Sequence, residues 1–325
     1  MKVCVVGAGA IGGLLAARLA RAGTADVSVL ARGATLAALR ERGLTLESAG
    51  QLVTTTPRAS NRAAELGAQD LIVIAVKGPA LTAVAEQIAP LLRPDTIVMP
   101  AMNGVTWWFC AGVPGFGNKS LESVDPGGRI ARAIPLPHVL GCVVHMSALV
   151  KAPATIDHRN GQGLIVGEPA GGTSARAQRV VDILASAGFE ARHSADVRCD
   201  IWYKLWGNLT MNPVSALTGA TLDRILGDPL VRELCSATMR EAALIGARIG
   251  CPIAQSPEER HAVTARLGAF KTSMLQDAEA GRTIELDAIV GAVHEIGARI
   301  GEPMPMIEAL LGLTRLFARG RGVYP

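Results

Sequence analysis

Residues 3–12 read VCVVGAGAIG, and this stretch decides the fold class that the sequence predicts. The apolar run before the first glycine is typical of a buried strand, and residues 11–22 are typical of a helix. The first glycine permits a tight turn, the second lets the backbone approach a pyrophosphate, and the third lets helix and strand pack closely. The helix N-terminus adds unpaired N–H groups and a partial positive charge. The strand–turn–helix context therefore predicts a dinucleotide site formed by Gly7, Ala8, Gly9, Ala10, Ile11 and Gly12.

Two basic residues follow later strands and bear on which dinucleotide binds. The second strand ends in Leu30-Ala31-Arg32, without the acidic residue that would hold a ribose 2′-hydroxyl. A guanidinium within reach favours a 2′-phosphate, so the sequence predicts NADP (NADPH); an ordinary surface arginine is the alternative. Lys77 directly follows the predicted strand 71–76, at the carboxyl edge where open α/β sheets bind ligands. Arg32 and Lys77 are therefore predicted to contact the cofactor.

Short β-branched runs alternate with alanine-rich helical stretches over the first two thirds of the chain. This rhythm predicts a mostly parallel sheet with right-handed crossovers. Strand-like residues 139–166, with turn residues at 157–163, are predicted to extend that sheet with antiparallel strands. Beyond residue 194 the pattern predicts long helices ending at Gly or Pro, over 196–211, 228–249, 257–280 and 283–300. We therefore predict an α/β Rossmann-type amino-terminal domain, residues 1–194, followed by an all-helical carboxy-terminal domain, residues 195–325.

The composition of the 325-residue chain excludes several classes of protein. Hydrophobic residues make up 49% and charged residues 18%, so a disordered chain or a coiled coil is excluded because so much apolar surface must be buried. The net charge is +4, and the Lys and Arg residues are scattered rather than gathered as in nucleic-acid binders. The six cysteines include no C-x-x-C pair and the six histidines show no metal-ligand spacing, so no metal site is expected. Glycine or proline interrupts the uncharged stretches 3–17 and 96–118, which favours a cytoplasmic protein without a membrane span.

A stripe of polar residues recurs in the otherwise apolar stretch 202–213, which reads WYKLWGNLTMNP. Lys204, Asn208 and Asn212 lie four residues apart, and this spacing puts all three on one face of a helix. Asparagine is a poor helix former, so its recurrence in register with a lysine favours a functional stripe over an ordinary exposed one. We expect this face to line a cleft.

Further polar positions complete the set of candidates. Ser273 and Asp277 form an i, i+4 pair, and Glu285 is predicted in the first turn of a helix with Thr283 as its N-cap. A carboxylate that stabilises the helix dipole is the alternative for Glu285. Asn103 follows the last predicted parallel strand, and on its own it is also compatible with a turn.

These residue types supply what the reduction of a keto acid by hydride transfer requires. A lysine desolvated at a domain interface has a lowered pKa and can protonate the alkoxide that forms as hydride arrives. A carboxylate can orient the ammonium, while amide and hydroxyl donors hold the substrate's carboxylate. The candidate set therefore favours a hydride-transfer reductase.

The sequence resembles the ketopantoate (2-dehydropantoate 2-) reductase family. The resemblance rests on motifs that run in family order over nearly the whole chain: residues 7–12, 76–77, 103–104, 204–213, 273–277 and 281–287. It implies NADPH-dependent reduction of 2-dehydropantoate to pantoate, in pantothenate biosynthesis. It also implies a Rossmann domain joined to a helical domain, with the substrate between them.

The same resemblance assigns roles to the candidate residues. Lys204 would be the general acid, and Glu285 would position it and contact the substrate hydroxyl, so these two are the implied catalytic residues. The implied substrate-binding residues are Asn103, Asn208, Asn212 and Ser273. Asn103 would also lie near the nicotinamide, with Arg32 and Lys77 near the 2′-phosphate and the cofactor.

Departures from the family pattern leave the identity of the keto acid open. Val290 stands where asparagine is expected, and Leu222 stands where some members carry a further asparagine. The stretch 105–132 is longer and more aromatic than usual, with WWF at residues 107–109, which is compatible with a lid over a modified pocket. A family reductase of a different 2-keto acid is therefore the first alternative.

A non-catalytic NADP(H)-sensing protein is the alternative from another class. Such a protein is expected to have lost some of the catalytic and substrate-binding residues. All four of the main candidates are present, so this alternative is less favoured: Lys204, Asn208, Ser273 and Glu285. The expected partners are a small-molecule 2-keto acid and, in a homodimer, a second copy of the chain, with no nucleic acid and no membrane.

Overall fold

The computed structural model of the chain describes residues 1–117 and 119–325. They form two compact units, one of Met1–Met102 with Gly128–Asp200 and the other of Asn103–Gly127 with Ile201–Pro325. The sequence places the domain boundary between residues 194 and 195 and counts the stretch 103–127 with the first domain. The contacts of that stretch group it with the helices instead, so the two divisions differ there. Asn118, inside the predicted aromatic insertion, lies outside the described residues.

The first unit alternates strands and helices. In chain order these are β1 (Lys2–Val6), α1 (Ala10–Ala22), β2 (Asp26–Leu30), α2 (Gly33–Arg42), β3 (Leu44–Ser48), β4 (Gln51–Thr55), β5 (Arg58–Ser60), α3 (Ala63–Leu66), β6 (Leu71–Ile74), α4 (Gly78–Gln87), β7 (Ile97–Pro100), α5 (Arg129–Ala133), β8 (Gly141–Ala152), β9 (Thr155–Gly167), α6 (Ala175–Ser186) and β10 (Glu190–Ser194).

A parallel sheet with strand order β5-β2-β1-β6-β7 carries the glycine-rich loop. β1 is central, because Val3 pairs with Val27 of β2 on one side and with Leu71 of β6 on the other. The inner strands are buried along almost their whole length, as expected for parallel strands covered on both faces. The predicted Rossmann-type α/β fold is confirmed.

The strands after residue 139 do not extend this sheet, so that prediction is wrong. β8 and β9 pair antiparallel, turning at residues 153–154, and join β3, β4 and β10 in a second sheet. The reason lies in α1, which packs against β8 and β9 as well as against β1 and β2. Its residues 12–17 are buried on every side, and a Cβ at Gly13 would lie 2.6 Å from Ile156 of β9. A helix that is apolar all round requires a second layer.

The second unit is helical, as predicted. Its elements are α7 (Val197–Thr218, whose first turn belongs to the first unit), α8 (Leu222–Gly227), α9 (Pro229–Arg248), α10 (Pro257–Ala265), α11 (Ser273–Glu279), a π-helix (Asp287–Gly291), α12 (Ala292–Ile300) and α13 (Pro305–Gly320). Buried side chains from α7, α8, α9 and α13 share one hydrophobic cluster. Among the described residues, no helix has the length and apolar character needed to cross a membrane.

Three predicted helices differ from the observed ones. The predicted helix 196–211 is α7, which continues to Thr218. The predicted helix 257–280 is broken into α10 and α11, because the intervening peptide bonds to α8: the carbonyls of Gly268 and Phe270 accept from the N–H groups of Asp223 and Leu222. The predicted helix 283–300 starts later, with the π-helix ahead of α12. Glu285 therefore precedes the helix rather than lying in its first turn, and Thr283 is not its N-cap.

Candidate active site

The loop after β1 shows why glycine stands at two of its positions. Gly7 has a φ of +92°, which favours glycine, and its N–H donates to the carbonyl of Leu30 at 3.0 Å. At Gly12 a Cβ would lie 1.9 Å from the carbonyl oxygen of Gly7 and 2.9 Å from the Cβ of Ala75. Only glycine therefore lets α1 approach the loop and the end of β6 this closely. The intervening positions are Ala8 and Gly9 in the loop and Ala10 and Ile11 at the start of α1.

The start of α1 is open to a ligand. Its N-cap is Gly9, with no side-chain cap and no acidic residue in the first turn. Apart from its chain neighbours, no described residue has a heavy atom within 4 Å of a Cβ built there. By contrast, the side chains of Ser174, Asp228 and Ser256 cap α6, α9 and α10. An N-terminus without a side-chain cap presents donors and a partial positive charge. These features fit the pyrophosphate of a dinucleotide.

The two predicted basic cofactor residues occupy matching positions after the two strands that flank β1. Arg32 follows β2 as the exposed N-cap of α2, and the half-buried Lys77 is the N-cap of α4, which comes after β6. Neither helix has a side-chain cap or an acidic residue in its first turn. Since β2, β1 and β6 are adjacent and parallel, the three helix N-termini meet one edge of the sheet. That edge suits an anionic cofactor.

Lys204 and Asn103 are hydrogen-bonded in the second unit. The Lys204 Nζ donates to the Asn103 Oδ1 at 2.8 Å, and both side chains are half-buried. The lysine is held in α7 between Trp202 and Trp206, each only 1% exposed, which fix this part of the helix. The indole N–H of Trp206 also donates to the carbonyl of Met239 in α9 at 2.7 Å. The ammonium is thus oriented by a helix that is itself firmly anchored.

The main chain beside Asn103 is joined to the main chain beside Glu285. Gly104 has a φ of +78°, and a Cβ there would lie 2.3 Å from the carbonyl oxygen of Ala288. The N–H of Val105 donates to that same carbonyl at 2.8 Å. Ala288 belongs to the π-helix, which starts two residues after the half-buried Glu285. Sequence reasoning did not find this link, because the two segments lie far apart along the chain.

The remaining predicted residues lie on two helices of the same unit. Asn208 is half-buried one turn beyond the lysine in α7, and Asn212, a further turn along, is 5% exposed. Ser273 is the exposed first residue of α11, and the carboxylate of Asp277 pairs with Arg282 at 2.9 Å. The substrate-binding role of these residues stays a prediction.

The aromatic residues at 107–109 and the tryptophans of α7 meet in the second unit. The ring of Phe109 stacks on that of Trp202, with centroids 5.9 Å apart and planes 21° from parallel. Trp107 and Trp108 are buried too, and their indole N–H groups, like the hydroxyl of Thr106, have no hydrogen-bond partner among residues 1–117 and 119–325. This stacking joins the segment that follows Asn103 to the helix that carries Lys204.

Two family models match the chain. The model described as ketopantoate reductase PanE/ApbA matches residues 3–108, and its C-terminal counterpart matches residues 196–318. A 2-dehydropantoate 2-reductase from Mesorhizobium japonicum is 45% identical over 325 residues, covering 100% of both chains. The chain belongs to the ketopantoate reductase family.

Solved structures show the same fold. A candidate ketopantoate reductase from Ralstonia solanacearum MolK2 is 56% identical, covers 99% of each chain and superposes with a TM-score of 0.96. A D-mandelate dehydrogenase, solved with NADH and anilino(oxo)acetate, has a TM-score of 0.85 over 99% of this chain and 100% of its own, at 21% identity. This structure shows that the fold is shared. The 45% identity to the Mesorhizobium japonicum reductase over the full length shows that the chain is an NAD(P)-dependent oxidoreductase.

Proposed function

We propose that the chain catalyses the NADPH-dependent reduction of 2-dehydropantoate to pantoate. The observation that carries the proposal is the Lys204–Asn103 hydrogen bond, which provides an oriented, half-buried ammonium. The full-length identity of 45% to the Mesorhizobium japonicum 2-dehydropantoate 2-reductase supports this substrate.

Reduction of the keto group needs a hydride donor at carbon and a proton donor at oxygen. The cofactor supplies the hydride when bound. Lys204 gives a proton to the carbonyl oxygen as negative charge develops there. The amide oxygen of Asn103 accepts one N–H of the ammonium at 2.8 Å, which restricts the lysine rotamer and aims the other N–H groups.

The other predicted residues divide the work of holding the substrate. Glu285 orients the ammonium and receives a hydrogen bond from the substrate hydroxyl. Asn208 and Asn212 lie on the same face of α7 as Lys204, since helical residues four apart are neighbours, and they provide amide donors for the substrate's polar groups. Ser273 adds a hydroxyl at the start of α11.

We assign NADPH rather than NADH as the cofactor. An acidic residue at the end of β2 would hold the ribose 2′-hydroxyl and repel a 2′-phosphate, and Leu30 and Ala31 stand there instead. The exposed Arg32 guanidinium is the group at this end of β2 that suits a phosphate. Lys77, at the start of α4, adds a second positive charge to the same sheet edge.

A different 2-keto acid is the second candidate substrate. The observation that favours it is the buried group of Thr106, Trp107 and Trp108, whose donors lack partners within the described chain. Such a group beside Asn103 suits an acid with a larger apolar or aromatic side chain. The two departures from the family pattern, Leu222 and Val290, are 3% and 0% exposed. Both are therefore core residues and do not contact the substrate with polar groups.

Steady-state oxidation of NADPH and of NADH, with 2-dehydropantoate and with branched and aromatic 2-keto acids, separates these candidates. We expect the highest kcat/KM with NADPH and 2-dehydropantoate. A higher kcat/KM with an aromatic 2-keto acid would establish the second candidate, and a preference for NADH would contradict the cofactor assignment. If the protein binds NADPH but turns over none of these acids, the result would favour the non-catalytic NADP(H)-sensing protein.

We also propose that the chain forms a cytoplasmic homodimer through α9 and α13. The two helices run antiparallel, because Glu241 of α9 accepts from the first N–H groups of α13, while Cys235 and Leu310 share a cluster further along. Leu230 and Leu313 are exposed by 82% and 60% at the same end of this pair. Exposed leucines at the same end of both helices favour association with a second copy.

A further inference from the structure

The segment after α13 returns to the main chain next to Glu285. Val323 is 1% exposed, and its N–H donates to the carbonyl of Ala318 at 2.9 Å. Its own carbonyl accepts the N–H of Ile284 at 3.0 Å. The residue immediately before Glu285 is therefore fixed by a backbone bond to a distant part of the chain.

The next residue, Tyr324, contacts Asp287, which follows Glu285 by two positions. Its phenol donates to the Asp287 Oδ1 at 2.5 Å, and both side chains are half-buried. Burial raises the pKa of Tyr324 to about 12, so the phenol remains a donor at neutral pH. Arg319 holds the segment, because its Nε donates to the Pro325 carbonyl at 2.9 Å and its guanidinium lies over the Tyr324 ring. Val323 and Tyr324 thus bond to residues on either side of Glu285, namely Ile284 and Asp287.

Asp287 is also the first residue of the π-helix. A π-turn inserts an extra residue into a helix, is rare, and occurs mainly where function requires a displaced group. In this π-helix the carbonyl of Ala288 accepts from Val105 at 2.8 Å, and Gly104 packs against it. Asn103, the partner of Lys204, is the next residue back along the chain. A continuous series of contacts therefore leads from Tyr324 to the ammonium.

We propose that Tyr324 is a positioning residue for the proton-donating site. Its hydrogen bond to Asp287 sets the π-helix, which places Glu285 directly and places Lys204 through Ala288, Val105 and Asn103. This inference rests on the proposed function only in assigning the proton donor to Lys204.

Tyr324→Phe removes the phenol oxygen and leaves the ring. We expect kcat to fall about tenfold, because small displacements of a catalytic group cost at least that much, while KM for the cofactor stays unchanged. Asp287→Ala should show the same fall, and the double variant no more than Asp287→Ala alone, since both changes break one contact. Asp287→Asn retains an acceptor oxygen and should retain most of the activity. The melting temperature of each variant should change by no more than about 5 °C.

The chain offers a matched control in its other tyrosine. Tyr203 donates to the Gln255 side chain at 2.6 Å, accepts from the Arg260 guanidinium at 3.4 Å and lies outside the series of contacts, so Tyr203→Phe removes at least as much phenol hydrogen bonding. Amide hydrogen exchange adds a readout that needs no substrate. Tyr324→Phe should speed exchange at Ile284 and Val105 but not at Gly13 in the first unit, and Tyr203→Phe should speed neither.

The inference is overturned if Tyr324→Phe keeps wild-type kcat, if Tyr203→Phe loses as much, or if exchange at Ile284 or Val105 is unchanged. These results are read with whichever 2-keto acid the wild-type protein reduces, so a wrong substrate does not affect them. If the wild type reduces none, the proposed function fails and exchange alone decides: faster exchange at both amides supports the positioning role, and unchanged exchange at either overturns it.

Discussion

At the scale of single residues, the central observation is one lysine bound to one asparagine. Lys204 and Asn103 are separated by 101 positions in the sequence, yet the Lys204 Nζ lies 2.8 Å from the Asn103 Oδ1 in the folded unit. The sequence identifies each as a polar residue in an apolar setting, but no periodicity relates them. Their contact forms because the segment that begins at Asn103 packs beside α7 in the second unit, and local sequence patterns do not encode that packing.

Lys204→Ala is expected to lower kcat by about 10²- to 10⁴-fold, because that is the usual contribution of a general acid. Cofactor affinity should be nearly unchanged, since the glycine loop and Arg32 belong to the other unit. Steady-state kinetics and fluorescence titration with NADPH measure the two quantities.

Lys271→Ala is the matched control for this variant. That lysine is exposed in the second unit and pairs with Glu279 at 2.7 Å, so its loss should leave kcat unchanged. Turnover of Lys204→Ala at the wild-type rate would contradict the assigned role.

At the scale of elements, two of the predicted long helices match the structure closely, while α7 extends seven residues past its predicted end and the irregular segments were not predicted. The predicted helix 11–22 is α1 and the predicted helix 228–249 is α9, each within one residue at either end, because apolar periodicity and a clear start or stop define them. The π-helix and the break between α10 and α11 were not predicted. Both depend on backbone groups bonding to remote segments, namely Ala288 to Val105 and Gly268 to Asp223.

Gly104→Ala tests the contact between the Asn103 segment and the π-helix. A Cβ there faces a φ of +78° and would lie 2.3 Å from the Ala288 carbonyl oxygen. We expect the free energy of unfolding to fall by about 3 kcal/mol, from backbone strain plus the clash. Urea denaturation of the purified protein measures this change, and kcat should fall with it because Asn103 is displaced.

Gly112→Ala separates the two causes. Gly112 has the same φ of +78° in the same unit, but beyond its chain neighbours none of the described residues lies within 4 Å of its Cβ position. Its free energy of unfolding should fall only by the cost of the backbone strain, about 1 to 2 kcal/mol, and its kcat should be normal. Equal losses in the two variants would show that the close approach to Ala288 is unimportant.

At the scale of the whole molecule, contacts divide the chain in a way that its order does not. The stretch Asn103–Gly127 belongs with the helices although it lies between β7 and α5 of the first unit. Strands β8 and β9 likewise build a second sheet rather than widening the first. Sequence patterning shows that a segment is apolar and extended, but not which of two available surfaces it covers.

The exposed leucines of α9 and α13 lead to a prediction about assembly. We expect the wild type to be a dimer at micromolar concentration, and Leu230→Asp with Leu313→Asp to be monomeric because charged residues are excluded from apolar interface cores. Size-exclusion chromatography with light scattering measures the mass. Leu52→Asp, which changes a leucine 70% exposed on β4 of the other unit, should remain dimeric. A monomeric wild type would contradict the proposal.

The sequence by itself determined the α/β and helical halves, the glycine loop and the residues able to do the chemistry. Local effects decide these features: apolar spacing, the steric freedom of glycine at Gly7 and Gly12, and the charge of a side chain. Only the tertiary structure decided that Lys204 is bound by Asn103, that Glu285 precedes a π-helix and that Tyr324 reaches Asp287. Those contacts join segments tens to hundreds of residues apart. Their formation depends on the packing of the whole unit, which no local pattern encodes.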